Sequence, residues 1–342
     1  MKRLVLFVAL FIVLAGAGIW YGVRKSGVTI DDVGVLWTLP AATLGILGVL
    51  CIAFYGADMV RYRVFGRAVG EHVSWRAALD ATVANFFFSW ITPGAALGAP
   101  AAIVMLGRRG VSWDAAALIA FGKSLTGTAL LIVLAFAMLA VGLGPDLDRG
   151  TLAVFTTGIG VVAAMLMVPI IGALWPAAAL RGVNRFEGWL SRRRMLAGER
   201  AQRVVARLCT GLRGAIERLA KLRQGGIAIA VWIVLAHVAN LAVLVAIATV
   251  LAHAFGATSI PQAIGIATVY AAFTYVAPTP GGAGISEAAG PLFYASVLEP
   301  RDAVIVVLLF RALTFYLHIA VGIVYLGIVG GTRQILERKA RT

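Results

Sequence analysis

PTPGGAG, residues Pro278–Gly284, interrupts a run that is otherwise apolar from Gln262 to Val297. ITPGAALGAP, residues Ile91–Pro100, does the same to the run from Ala77 to Leu106. Proline removes a helix donor and clashes with the preceding turn, while glycine admits the backbone conformations of a tight reversal, so neither run reads as one continuous helix. Each leg is about half the length needed to cross roughly 30 Å of hydrocarbon at about 1.5 Å per residue. Two re-entrant helical hairpins are therefore expected.

Outward from these breaks lie six unbroken windows long enough to span: Leu4–Tyr21, Trp37–Val60, Trp113–Leu143, Thr151–Trp175, Ile227–Phe255 and Ala303–Val329. The composition agrees. Of 342 residues 61% are hydrophobic and 13% charged, and the mean hydropathy is +0.93. A soluble domain needs about a quarter of its residues charged to wet its surface. The chain is too apolar for a disordered segment, a secreted disulfide scaffold or a nucleic-acid-binding globule. A polytopic membrane protein remains, and the net charge of +15 reads as lipid-facing. Cys51 and Cys209 form neither a disulfide framework nor a paired metal site. Leu4–Tyr21, behind Lys2 and Arg3, exceeds a usual signal-peptide core and reads as a retained first span.

With both termini in the cytoplasm and each hairpin returning to its own side, 24 of the 30 Lys and Arg residues fall inside and four (Arg24, Lys25, Arg149 and Arg301) outside. That satisfies the positive-inside rule for a cell inner membrane. Arg61, Arg63, Arg67 and Arg76 count as cytoplasmic here, and Lys123 and Arg311 lie within spans. The hairpins then open in opposite senses. They also look alike: TPGAALGAPA from Thr92 matches TPGGAGISEA from Thr279, and FGKSLT from Phe121 matches FRALT from Phe310. The distance from Pro93 to Lys123 is 30 positions and from Pro280 to Arg311 is 31. This is the pattern of an inverted-topology repeat, in which broken helices meet near the midplane.

The fold class is thus an all-α polytopic membrane protein, six full spans plus two re-entrant hairpins arranged as an inverted repeat. It forms a single membrane domain over 1–342: N-terminal spans in 1–60, a first repeat at 77–143, a span at 151–175, a basic linker at 176–225, a span at 227–255 and a second repeat at 262–329. The linker holds twelve bases and three acids between Arg181 and Arg223. Its apolar positions from Val204 to Leu222 recur at helical spacing, which suits an amphipathic helix on anionic inner-leaflet lipids and equally a solvated connector.

Arg311, well inside the last span, costs at least about 2.5 kcal/mol there and requires a partner. Glu287, at the start of the second return leg, is the candidate. The pair either meets a lipid headgroup phosphate or a coupled proton, or pins the hairpin to the span. Lys123 is its counterpart in the first half. Its GKS surroundings are not a phosphate-binding loop, because Ala117 replaces the first required glycine and the stretch is helical. Return legs starting near Gly98 and Ser286 present helix N-termini that favour an anion, and Gly94, Gly98, Gly281, Gly282 and Gly284 allow the turns. Thr92, Thr279 and Thr314 complete the candidate substrate-binding set, with no catalytic residue, metal site or cofactor. His237, Asn240, His318, Asn85 and Asp80 read as helix-to-helix hydrogen-bond partners.

PTPGGAGISEAAG (Pro278–Gly290) followed by FRALTFYLHIAVG (Phe310–Gly322) resembles the second-half signature of the lysylphosphatidylglycerol synthase transmembrane region, a flippase-like family. The first half departs from it: Gly98, Ala99 and Pro100 stand where members often carry Gly-Glu and an arginine, and Gly122 and Lys123 where they carry an acidic residue and arginine. The resemblance implies translocation of a membrane lipid with an anionic or polar headgroup. Lipid aminoacylation is not expected, since only a short basic tail follows Gly331, and neither is a nucleic-acid partner. Two other classes remain open. A polyprenyl-phosphate-dependent glycosyltransferase would use Asp31 or Asp32, and a non-transporting scaffold would dock a lipid-modifying enzyme through the linker; a lipid-modifying enzyme or a second copy of the chain is the expected protein partner.

Overall fold

The computed structural model describes residues 39–92, 94–146, 175–191, 226–277 and 279–339, with isolated positions within 150–160 and at 213–214, and is all-α over them. In chain order the helices are α1 (Ala41–Ala68), α2 (Trp75–Trp90), α3 (Gly98–Arg108), α4 (Trp113–Ala140), α5 (Pro176–Ser191), α6 (Gly226–Ala254), α7 (Ile260–Val276), α8 (Ile285–Tyr294) and α9 (Pro300–Arg311). The last runs through a π-helical turn, Ala312–Tyr316, into α10 (Leu317–Lys339).

Among the described residues, four stretches are long and apolar enough to cross a membrane: Ala41–Ala68, Trp113–Ala140, Ile227–Ala254 and Pro300–Ile328. They coincide with four of the six expected spans. Leu4–Tyr21 and nearly all of Thr151–Trp175 lie outside the described residues, as does the linker between 192 and 212. The span expected to end at Val60 continues to Ala68, where Gly70 at φ +77° lets the chain turn and the Glu71 N–H closes the helix on the Gly66 carbonyl at 2.8 Å. That extension puts Arg61 in the helix interior instead of the cytoplasmic loop.

The short legs start and stop where local chemistry dictates. The Ser74 hydroxyl caps α2 by accepting from the Ala77 N–H at 3.2 Å. The Ser259 hydroxyl does the same for α7 from the Gln262 N–H at 3.5 Å, with Pro261 in the first turn. Ala277 is forced extended because Pro278 follows it. The legs are 16, 11, 17 and 10 residues for α2, α3, α7 and α8.

Both pairs fold back on themselves as antiparallel hairpins. In the first, Asp80 near the start of α2 bonds Arg109 just past the end of α3 at 2.6 Å. At the other end Gly98 lies so close to α2 that a Cβ there would stand 1.8 Å from Ser89 Oγ. In the second, Thr274 near the end of α7 accepts from Ser286 at the start of α8 at 3.2 Å, and Phe273 meets Phe293 with ring centroids 5.0 Å apart.

Packing between helices occurs in matched pairs. The spans before the hairpins, α1 and α6, pack on each other. Each hairpin's first leg packs against the span that follows the other hairpin, α2 on α10 and α7 on α4, and each return leg against its own following span, α3 on α4 and α8 on α9. One core runs through α1, α4, α6, α7 and α9, and a second, rich in alanine, joins α1 to the first hairpin and α4.

Candidate functional site

Two buried ion-pair centres flank the middle of this bundle. In the second half, Glu287 in the first turn of α8 and Arg311 at the end of α9 are both about 99% buried by side chain. The Arg311 Nε donates to Glu287 Oε1 at 2.8 Å, and the guanidinium lies 3.8 Å over the Phe315 ring. Glu287 Oε2 accepts from its own helix cap, the Gly284 N–H, at 2.8 Å, and Tyr316 donates to Oε1 at 3.4 Å. One carboxylate thus pairs with the arginine through Nε and closes the turn, while Arg311 Nη2 has no hydrogen-bond partner among the described residues. The Gly284 N–H is therefore engaged within the chain and is not left for an external anion.

The first-half centre is built differently. Lys123 on α4 is buried, and its Nζ donates to both oxygens of Asp58 on α1 at 2.8 and 2.9 Å. Asp58 also accepts from Arg61 at 2.9 Å and from Thr82 at 3.0 Å. Arg61 in turn donates to the side-chain oxygen of Asn240 on α6 at 2.7 Å and to the Lys123 carbonyl at 3.1 Å. His237 Nε2 contacts that same carbonyl at 3.0 Å. A Cβ on Gly127 would stand 2.3 Å from an Arg61 terminal nitrogen, so the glycine is what lets the guanidinium reach α4. The carboxylate that the first hairpin lacks at Gly98, Ala99 and Pro100 is supplied by Asp58 from the preceding span.

Between the centres lies a cavity of about 290 Å³. Both hairpin tips reach it, with Gly94, Ala95 and Ala96 from the first and Thr279, Gly281 and Gly282 from the second. Matching positions of the two tips are left-handed: Gly94 and Ala95 at φ +57° and +54°, Gly281 and Gly282 at +55° and +71°. Arg61 and Lys123 line its wall, and among the described residues no carboxylate does. A smaller void of about 10 Å³ touches Arg311 and Thr314.

Of the residues nominated from sequence, Lys123, Thr279, Gly281, Gly282 and Gly94 line the cavity, and Arg311 and Thr314 line the small void. Glu287, Gly284, Ser286, Thr92 and Gly98 support the hairpins from outside both. Thr92 does so by accepting from the Leu97 N–H at 3.2 Å while donating to the Phe88 carbonyl at 2.5 Å. The residues that sequence reasoning missed are Asp58 and Arg61. Their signal was present as an i, i+3 acid and base pair at the end of an apolar run, a spacing that places both on one helix face. Among the described residues no group of three or more His, Cys, Asp or Glu side chains could hold a metal ion.

A set of apolar helices around buried ion pairs and a mostly apolar cavity with Arg61 and Lys123 in its wall defines a membrane protein with intramembrane ionisable groups, the kind of position where such groups serve a substrate pathway. The family described as lysylphosphatidylglycerol synthase TM region matches residues 4–322, and the chain belongs to that family. No curated protein matches the sequence.

Proposed function

We propose that this protein moves a membrane lipid between leaflets, passing its anionic or polar headgroup through the cavity between the two hairpin tips. The observation that carries the reading is the convergence of both tips and two buried cations on one cavity. Breaks in half-length helices are how membrane proteins place polar backbone at depth, and only where it lines a cavity. Family membership supports a membrane role connected with lipids. In this reading the hairpins are re-entrant and enter from opposite faces, two further spans at Leu4–Tyr21 and Thr151–Trp175 complete the six, and both termini face the cytoplasm across the inner membrane. The matched packing of α2 on α10 and α7 on α4, and the matched left-handed tip residues, support an inverted repeat.

The protein is a transporter and not an enzyme in this account, downhill or ion-coupled, and the basic linker sits on anionic inner-leaflet lipids. Its low-dielectric path needs compensation for the headgroup charge, which the cavity cations supply. Reconstitution into liposomes with fluorescent lipids tests it. The wild type should exchange labelled lipid between leaflets well above protein-free liposomes, and Arg61→Gln and Lys123→Gln, which remove the cations lining the cavity, should, if folded, lose most of that rate. Equal exchange by all three proteins would refute the assigned route.

A further inference from the structure

Charge and hydrogen-bond balance around the cavity specify its ligand more narrowly. The first-half centre contains two cations, Arg61 and Lys123, and one carboxylate, Asp58. Both cations line the cavity while the carboxylate does not, so the wall carries an excess of one positive charge among the described residues. A buried excess charge is costly unless something pairs with it. Three lining residues, moreover, hold a buried polar atom with no hydrogen-bond partner among the described residues: Arg61 Nε, Trp90 Nε1 and Thr279 Oγ1. The first two can only donate. Arg61 itself is 8% exposed, so bulk water does not serve it. An anionic acceptor would answer the unsatisfied donors and the excess positive charge together.

We propose that the cavity is a binding site for one singly charged phosphodiester, with Arg61 and Lys123 providing the charge and Trp90 and Thr279 neutral donors. This rests on the translocator reading for its physiological ligand, a phospholipid headgroup of net charge −1. The same chemistry would also accept free phosphate. A zwitterionic headgroup would bring its own cation into a wall without a carboxylate, and a net cationic headgroup would be repelled. The second-half centre does not add to the excess, because Arg311 and Glu287 balance one to one.

The test is lipid binding to the purified full-length protein in an uncharged detergent, read as ligand-dependent thermal shift, with phosphatidylglycerol, phosphatidylcholine and inorganic phosphate as probes. Phosphatidylglycerol should bind at least tenfold more tightly than phosphatidylcholine. Arg61→Gln, which brings the centre to zero net charge, should erase that preference. Trp90→Phe, which keeps the ring and removes one donor, should weaken phosphatidylglycerol binding by roughly tenfold, as expected for a hydrogen bond to a charged group, and decides the matter if Arg61→Gln does not fold. Competition by inorganic phosphate would place recognition in the phosphate itself. Selective phosphatidylglycerol binding without such competition would place it in the lipid as a whole. Equal affinity for the two lipids, or unchanged selectivity in both variants, would overturn the proposal. Leaflet exchange separates the two levels: selective binding without exchange contradicts the translocator and leaves the anion site standing, and exchange without headgroup selectivity does the reverse.

Discussion

At Gly127 the fit between α4 and the first charge centre depends on the absence of a single methyl group, since a Cβ there would stand 2.3 Å from Arg61 and 3.1 Å from His237. Gly127→Ala should push the guanidinium off Asn240 and Lys123 and cost about 1–3 kcal/mol of stability, seen as a lowered melting temperature in detergent; an unchanged melt would mean the centre tolerates displacement. The Glu287–Arg311 pair is a second residue-scale case. Glu287→Ala leaves a buried cation unpaired and should cost about 3–5 kcal/mol, most of it recovered when Arg311→Met is added. A double variant no more stable than the single would contradict the pairing seen at 2.8 Å. This pair was legible in the sequence because hairpin and following span place its members only 24 positions apart. The Asp58–Lys123 bond spans 65 positions and the Arg61–Asn240 bond 179. Linear spacing says nothing about such partners, and a span drawn to end at Val60 put Arg61 in water.

The hairpins were legible for a different reason, because proline and glycine act on the backbone within one or two residues of themselves. Their limits fell within two residues of expectation at α2 and α7. What sequence did not reveal was the state of the last span, where five residues after Arg311 adopt a π-helical turn. That turn places Phe315 against the second tip, and a Cβ on Gly281 would meet its ring at 2.1 Å. Such π turns are found inside α-helices and frequently at functional sites. Gly281 also sits at φ +55°, so Gly281→Ala faces both a left-handed backbone penalty and a collision. The expected loss is at least about 2 kcal/mol. Adding Phe315→Leu should return part of it by removing the collision alone. If the second change restores nothing in a thermal melt, the tip and the π turn are not in contact.

Over the whole molecule, the paired packing of each hairpin on the other half's span brings residues of both halves to the cavity, while the Glu287–Arg311 centre lies wholly in the second half. The cavity takes one tip, one charge centre and part of α4 from the first half, and the other tip with α6 and α7 from the second. Hydropathy made the spans readable and the repeated tips suggested their relation, but the cavity belongs to long-range packing that no local pattern encodes. The central claim is that a lipid headgroup passes through this cavity. It is tested most directly by blocking the space: Ser124 lines it, so Ser124→Cys in a background with Cys51 and Cys209 replaced by serine can be modified with a bulky maleimide before reconstitution. Lipid exchange should proceed in the unmodified protein and fall to the protein-free rate after modification. Exchange at the same rate with the cavity filled would contradict the account.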